Sequence, residues 1–146
     1  MLTRLPVSFA RQDAGSLQIN RTVEGNPLSV GRRRYAEGLG THANSDIHYQ
    51  MPRGAREFSF SIGVDDEVAG KSPGVIFSVL GDGKELWGSP VIYGYERNQT
   101  TYTVDVRDVK TLQLRVHGSN GLDHADWINP IIAMGETGES AGGRGD

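Results

Sequence analysis

Phe58-Ser59-Phe60-Ser61-Ile62 alternates apolar and small polar residues, the period of two expected of a strand with one face buried and one in water. Downstream, Val75 to Leu80 is a nearly continuous apolar run, which predicts a strand covered on both faces. It ends at Gly81-Asp82-Gly83, and Leu86-Trp87 follows at once. Asp-Gly tolerates the positive φ angles of a two-residue hairpin turn. Tyr102, Val104 and Val106 then alternate with Thr103 and Asp105, and Leu112, Leu114 and Val116 alternate with Gln113 and Arg115. A last apolar run, Ile128 to Ala133, is broken by Pro130, which predicts an edge strand or a bulge. Upstream, Pro27 to Val30 leads through Gly31 into Tyr35 and reads as another hairpin. No window of a dozen residues carries a helical apolar stripe. Seven or so short strands at this spacing predict an all-β fold, an antiparallel β-sandwich of jelly-roll type in preference to a closed barrel.

The 146 residues suit one domain with one core. Residues 1–134 form the expected folded unit, and Gly-rich residues 135–146 read as a flexible tail or linker. Twenty glycines, without a collagen-like period, are consistent with many turns. The net charge is −3 with both signs interspersed, so no basic stripe invites nucleic acid. Arg32-Arg33-Arg34 follows Gly31 and reads as a solvated hairpin tip. The absence of cysteine excludes disulfides, thiolate metal sites and a cysteine nucleophile. No stretch reaches the roughly 18 apolar residues that a membrane helix needs. Met1-Leu2-Thr3-Arg4-Leu5-Pro6 lacks the apolar region of a signal peptide, so a secreted parent protein would make this chain an excised piece of it.

Four polar motifs punctuate the strands: Gly38-Leu39-Gly40-Thr41-His42-Ala43, Gly63-Val64-Asp65-Asp66-Glu67, Gly81-Asp82-Gly83-Lys84 and Asp123-His124-Ala125-Asp126-Trp127. In this order they resemble the NPCBM domain, family 51 of the carbohydrate-binding modules, over about Leu17 to Ile132. The resemblance implies a β-sandwich that binds galactose-containing glycans. It also implies attachment to a secreted glycoside hydrolase or a surface protein, hence a secreted or cell-surface location and a covalently linked catalytic or surface domain as partner. One departure is the segment Val7 to Leu17, whose single aromatic is Phe9 where the family commonly has an aromatic-rich stretch.

Sugars are held by hydrogen bonds from Asp, Glu, Asn, Arg or His to hydroxyl pairs, and by an aromatic ring against an apolar sugar face. Trp87, Tyr93, Tyr95 and Arg97 fall in a Gly- and Pro-punctuated stretch after the Asp82-Gly83 turn. His117 and Asn120 lie before Asp123. With His42 they make up the expected carbohydrate contacts, while Trp127, beside Ile128, reads as core. His42, Asp65 and Asp126 also have a purely structural reading, in which they hydrogen-bond one another and the loop backbone at the end of the sandwich. Asp65, Asp66 and Asp126, with Glu67 and Asp123 nearby, offer oxygens for a structural calcium, which needs 6–8 of them.

Enzyme readings fare worse. A glycosidase needs two carboxyls roughly 5–9.5 Å apart across a cleft, and only Asp65 and Asp126 are candidates. There is no His-Glu-x-x-His pair, phosphate loop or dinucleotide fingerprint. No catalytic residue and no required cofactor are expected. The alternative to glycan binding is a structural or protein-interaction sandwich that has lost its sugar contacts.

Overall fold

A computed structural model describes residues 1–94, 100–118 and 122–135. Twelve strands are present among them: β1 (Phe9–Gln12), β2 (Gln18–Ile19), β3 (Leu28–Val30), β4 (Arg33–Tyr35), β5 (Gly38–His42), β6 (Ser45–Gln50), β7 (Ala55–Val64), β8 (Val75–Gly81), β9 (Lys84–Gly88), β10 (Tyr102–Asp105), β11 (Thr111–Gly118) and β12 (His124–Met134). They form two five-stranded antiparallel sheets, β1-β6-β11-β8-β9 and β10-β7-β12-β5-β2, plus the β3-β4 hairpin. Among the described residues helical structure is limited to two 3-10 turns, Leu2–Arg4 and Asp66–Val68, and no helix is long and apolar enough to cross a membrane.

The predicted alternation of β7 holds: Phe58, Phe60, Ile62 and Val64 are buried against the opposite sheet. There they join one core with Ile47 and Tyr49 of β6, Phe77 and Val79 of β8, and Leu112, Leu114 and Val116 of β11. Phe60 lies at its aromatic centre, 4.7 Å from Phe58, 4.9 Å from Trp87 and 5.5 Å from Trp127 between ring centroids. Each such fully buried large side chain contributes about 1.5–3 kcal/mol.

One expectation changes, and the other resolves to one of its two alternatives. Val75 to Leu80 is not covered evenly on both faces, because Val75, Phe77 and Val79 point into the core while Ile76 and Ser78 remain half-exposed. Pro130 does not mark an edge, since β12 lies between β7 and β5. It sits instead in a bulge, where the register to β7 slips between Ile128 and Ile131 and Asn129 takes φ +47°. A bulge absorbs a residue that has no N–H to donate.

Hairpin turns fall where the glycines predicted. Gly81 pairs with Lys84 across Asp82-Gly83, and Val30 pairs with Arg33 across Gly31-Arg32. The β3-β4 hairpin then lies over the outer face of the second sheet, with Leu28 and Val30 packed on Ile128. That sheet is therefore covered on both sides near its centre.

Chain direction sorts the connections into two ends. The β5-β6, β7-β8, β9-β10 and β11-β12 connections share one end, and the β6-β7, β8-β9 and β10-β11 connections share the other.

Candidate functional site

Asp126 anchors the first end from within. On β12 it lies in register between Gly63 of β7 and Gly40 of β5. Both glycines are required by close approach. A Cβ at Gly40 would sit 2.0 Å from the Arg21 carbonyl oxygen, and one at Gly63 would sit 2.2 Å from Val30 Cγ1. The segment after β2 and the β3-β4 hairpin thus press onto the sheet and seal Asp126, which is 1% exposed.

Three acidic neighbours hold this cover down. Asp65 caps the Asp66–Val68 turn, its Oδ1 accepting from Glu67 N at 3.0 Å and its Oδ2 from Ser29 N at 3.1 Å. Asp66 Oδ2 accepts from the Ser29 hydroxyl at 2.6 Å and Arg32 N at 2.7 Å. Glu67 Oε1 accepts from Thr22 Oγ1 and Asn26 Nδ2, and its Oε2 lies 2.8 Å from His124 Nδ1. Among the described residues neither Asp126 oxygen has a hydrogen-bond partner of ordinary geometry. Burial first, then the proximity of Asp65 and the charges of Glu67 and Asp66, push the Asp126 carboxyl well above the usual carboxylate range. Asp126 thus lies buried behind the carboxyl-bearing turn Asp65–Glu67.

This arrangement does not fit the calcium cage expected from Asp65, Asp66 and Asp126. Among the described residues no group of three or more His, Asp or Glu side chains is placed to hold a metal ion. The Asp65 carboxylate already accepts backbone N–H groups on both oxygens. Nor do Asp65 and Asp126 face a cleft, as a hydrolytic pair must, for both are 1% exposed.

The expected sugar contacts divide. Trp87 is a sheet-edge plug, paired with Val79, with its ring edge-on to Phe60 and 4.8 Å from Tyr102. Its ring is partly buried against the core. His42 is 6% exposed, with Nδ1 against the Ala43 carbonyl and its ring 5.4 Å from that of His124. The two rings line a cavity of about 240 Å³ with Glu24, Val23, Ala14 and Gly15. Tyr93, by contrast, is 54% exposed and lies over Gly74, where a Cβ would come within 3.0 Å of its ring. His117 is exposed on the outer face of β11 and borders a depression of about 310 Å³ with Arg11, Asp13, Asp46 and Arg115. Tyr95, Arg97 and Asn120 lie outside the described residues.

One register relation joins these positions. Ile92 bridges to Val75, and Val75 pairs with Gly118 on its other side. The segment that carries Ile92 and Tyr93 therefore flanks β8 on one side, and the end of β11 that carries His117 flanks it on the other. At 4.7–4.9 Å per strand their backbones stand roughly 10 Å apart. Asn44 stiffens this end: its N and Nδ2 donate to Asp13 Oδ2, and its Oδ1 accepts from Gly118 N at 3.0 Å. Those bonds hold the Asp13 carboxyl below its ordinary range.

Sequence reasoning missed the row Arg11–Asp46–Arg115, which spans three strands in register. Next to it, Phe9 packs on His48 at 4.9 Å, and His48 Nε2 lies 3.1 Å from Asp46 Oδ1. Only the strand pairing brings them together.

A family model described as the NPCBM/NEW2 domain matches residues 1–133. The alpha-1,3-galactosidase B of Akkermansia muciniphila is 31% identical over 142 residues, which are 94% of this chain and 18% of that protein. A Renibacterium salmoninarum relative is 40% identical over 109 residues, 73% of this chain and 7% of its own length. The chain thus spans under a fifth of the curated relatives it matches. The CBM51 of Clostridium perfringens GH95, solved in complex with methyl-galactose, superposes with TM-score 0.80 at 27% identity, covering 90% of this chain and 97% of that one. CBM51-2 of Clostridium perfringens ZmpB, solved with GlcNAc and with INT domains, gives TM-score 0.80 at 32% identity, covering 90% and 30%.

Proposed function

The chain belongs to the NPCBM/NEW2 domain family, and on that premise we propose that it is a non-catalytic carbohydrate-binding module for galactose-type glycans. The observation that carries the reading is the row Ile92–Val75–Gly118. It sets the segment that carries Tyr93 and the end of β11 that carries His117 on either side of one strand, at one end of the sandwich. Tyr93 offers an apolar ring to a sugar face, and His117 offers a nitrogen to a hydroxyl. Tyr95, Arg97 and Asn120 belong to the same two segments.

A shallow site with two or three such contacts binds weakly, in the micromolar to millimolar range. Weak binding is useful when the module is tethered, because a linked catalytic domain then works at a high effective concentration of substrate. The much longer relatives support that role. We read the chain as one part of a secreted or surface protein that processes glycans. Calorimetry with methyl β-galactoside and methyl β-glucoside tests the proposal. Saturable binding of the galactoside, weakened at least tenfold by His117→Ala or Arg97→Ala, is expected. No heat with either sugar and none on a broad glycan array would refute it.

A further inference from the structure

We propose that the opposite end of the sandwich carries a second binding site, for the sulfate or carboxylate groups of an anionic glycan. The β6-β7 and β10-β11 connections meet there around a depression of about 960 Å³ that takes in Arg53, Arg56, Arg107 and Lys110, with Asp108 as the one acid of its lining among the described residues. All four cations are exposed. Arg107 is already neutralised by Asp105, with Nη2 to Oδ2 at 2.7 Å and Nε to Oδ1 at 3.1 Å. That pair holds Asp105 down to about 2, so it stays ionised and keeps Arg107 engaged. Arg53, Arg56 and Lys110 make no ion pair among the described residues. The lining there holds four cations to one acid, with Asp105, Glu57 and Asp82 close by, in a chain whose total is −3.

The site is partly preorganised. Gly135 N donates to the Gly54 carbonyl, closing the end of β12 over the β6-β7 connection. A Cβ at Gly135 would lie 2.4 Å from Arg56 Cδ, so the Arg56 stem runs across the bare glycine backbone. A planar guanidinium held in this way suits the paired oxygens of sulfate or carboxylate. Val109, Met51 and Pro52 supply an apolar floor beneath the charges, as a sugar ring requires and a bare anion does not. Continuous polyphosphate fits less well. Asp105, Glu57 and Asp108 interrupt the cations, and three unpaired charges fall short of the 6–10 phosphate contacts of a typical duplex-binding protein.

The inference rests on the proposed function only for the polymer being a glycan. β7 runs the length of the sandwich in ten residues, Ala55–Val64, which places the two ends roughly 30 Å apart. The site would thus engage a different stretch of polymer, or a different chain, from the galactose-binding end.

Biolayer interferometry on the whole chain tests this at 50 mM and 300 mM NaCl. The probes are a sulfated galactan, its desulfated counterpart, polysialic acid and a 20-base-pair DNA duplex. Expected at low salt is binding to the sulfated galactan, to polysialic acid, or to both, at least tenfold tighter than to the neutral galactan; which of them binds tells sulfate from carboxylate. The advantage should shrink at high salt. The triple variant Arg53→Ala/Arg56→Ala/Lys110→Ala should lose about tenfold on the anionic polymer and keep its methyl β-galactoside affinity. Arg53→Glu alone, on an exposed loop, gives the same readout if the triple variant folds poorly. Equal binding of charged and neutral polymers, unchanged variants, or DNA binding as tight as either glycan would overturn the proposal. Loss of methyl β-galactoside binding by the unmodified chain would overturn the first reading and leave this one standing.

Discussion

Replacing Asp126 with asparagine should stabilise the protein at neutral pH and leave it nearly unchanged near pH 4. Asp126 is sealed beneath the segment after β2 and the β3-β4 hairpin, with Asp65, Asp66 and Glu67 as its charged neighbours. Its folded pKa is raised above the unfolded value of about 3.9. Between those two values the folded state holds a proton that the unfolded state has released. Stability from this group is therefore fully present below about pH 4 and declines as pH rises through the folded pKa. The decline is about 1.4 kcal/mol per pH unit over that window. Asparagine cannot ionise and keeps the shape. The difference between variant and wild type should accordingly widen by about 1.4 kcal/mol per unit above pH 4 and level off past the folded pKa. With a urea m-value of about 2 kcal/mol/M, the midpoints separate by about 0.7 M per pH unit. Other titrating groups cancel in the difference. Urea titrations from pH 4 to 8, followed by the fluorescence of Trp87 and Trp127, supply the curve. Parallel profiles for the two proteins would refute the reasoning, since they would mean that folding does not raise the Asp126 pKa.

Three further outcomes follow from the same scaffold. Gly40→Ala puts a Cβ against the Arg21 and Thr22 backbone, not against a movable side chain, and should cost about 3 kcal/mol or more in urea unfolding. Glu67→Ala leaves Thr22, Asn26 and His124 without their acceptor and should cost about 3 kcal/mol, with Glu67→Gln recovering part of it. Trp87→Ala removes a half-buried ring from Phe60 and Tyr102 and should lower stability by about 2–3 kcal/mol, while calorimetry finds the sugar affinity unchanged.

Two strands, one in each sheet, were legible because part of each shows water on one side: Phe58-Ser59-Phe60-Ser61-Ile62 of β7 alternates about half-exposed Ser59 and Ser61, and Leu114-Arg115-Val116 of β11 about exposed Arg115. β5 was not legible as a strand, because all five of its residues are buried and a period of two has nothing to alternate between. The start of β12 hid for the same reason: Asp126 and Ile128 face the sheet's covered outer side, so the run His124 to Ile128 is buried throughout. The motifs Gly38 to Ala43, Gly63 to Glu67 and Asp123 to Trp127 were visible in sequence. Only the register shows that two of their glycines flank the aspartate of the third, which makes them the seat of the cover. Trp87 looked like a sugar platform because sequence does not say which way an edge strand turns its ring. The basic end was invisible because Arg53 and Arg56 stand far in the chain from Arg107 and Lys110.

A nitrogen-15 correlation NMR titration of the whole chain with methyl β-galactoside probes the galactose-binding end most directly. Saturable shifts clustered on residues 91–100 and 117–123, with the Arg53–Arg56 and Arg107–Lys110 amides still, are the predicted result. Shifts confined to the cavity beside His42 and His124, or none at 50-fold molar excess and beyond, would contradict it.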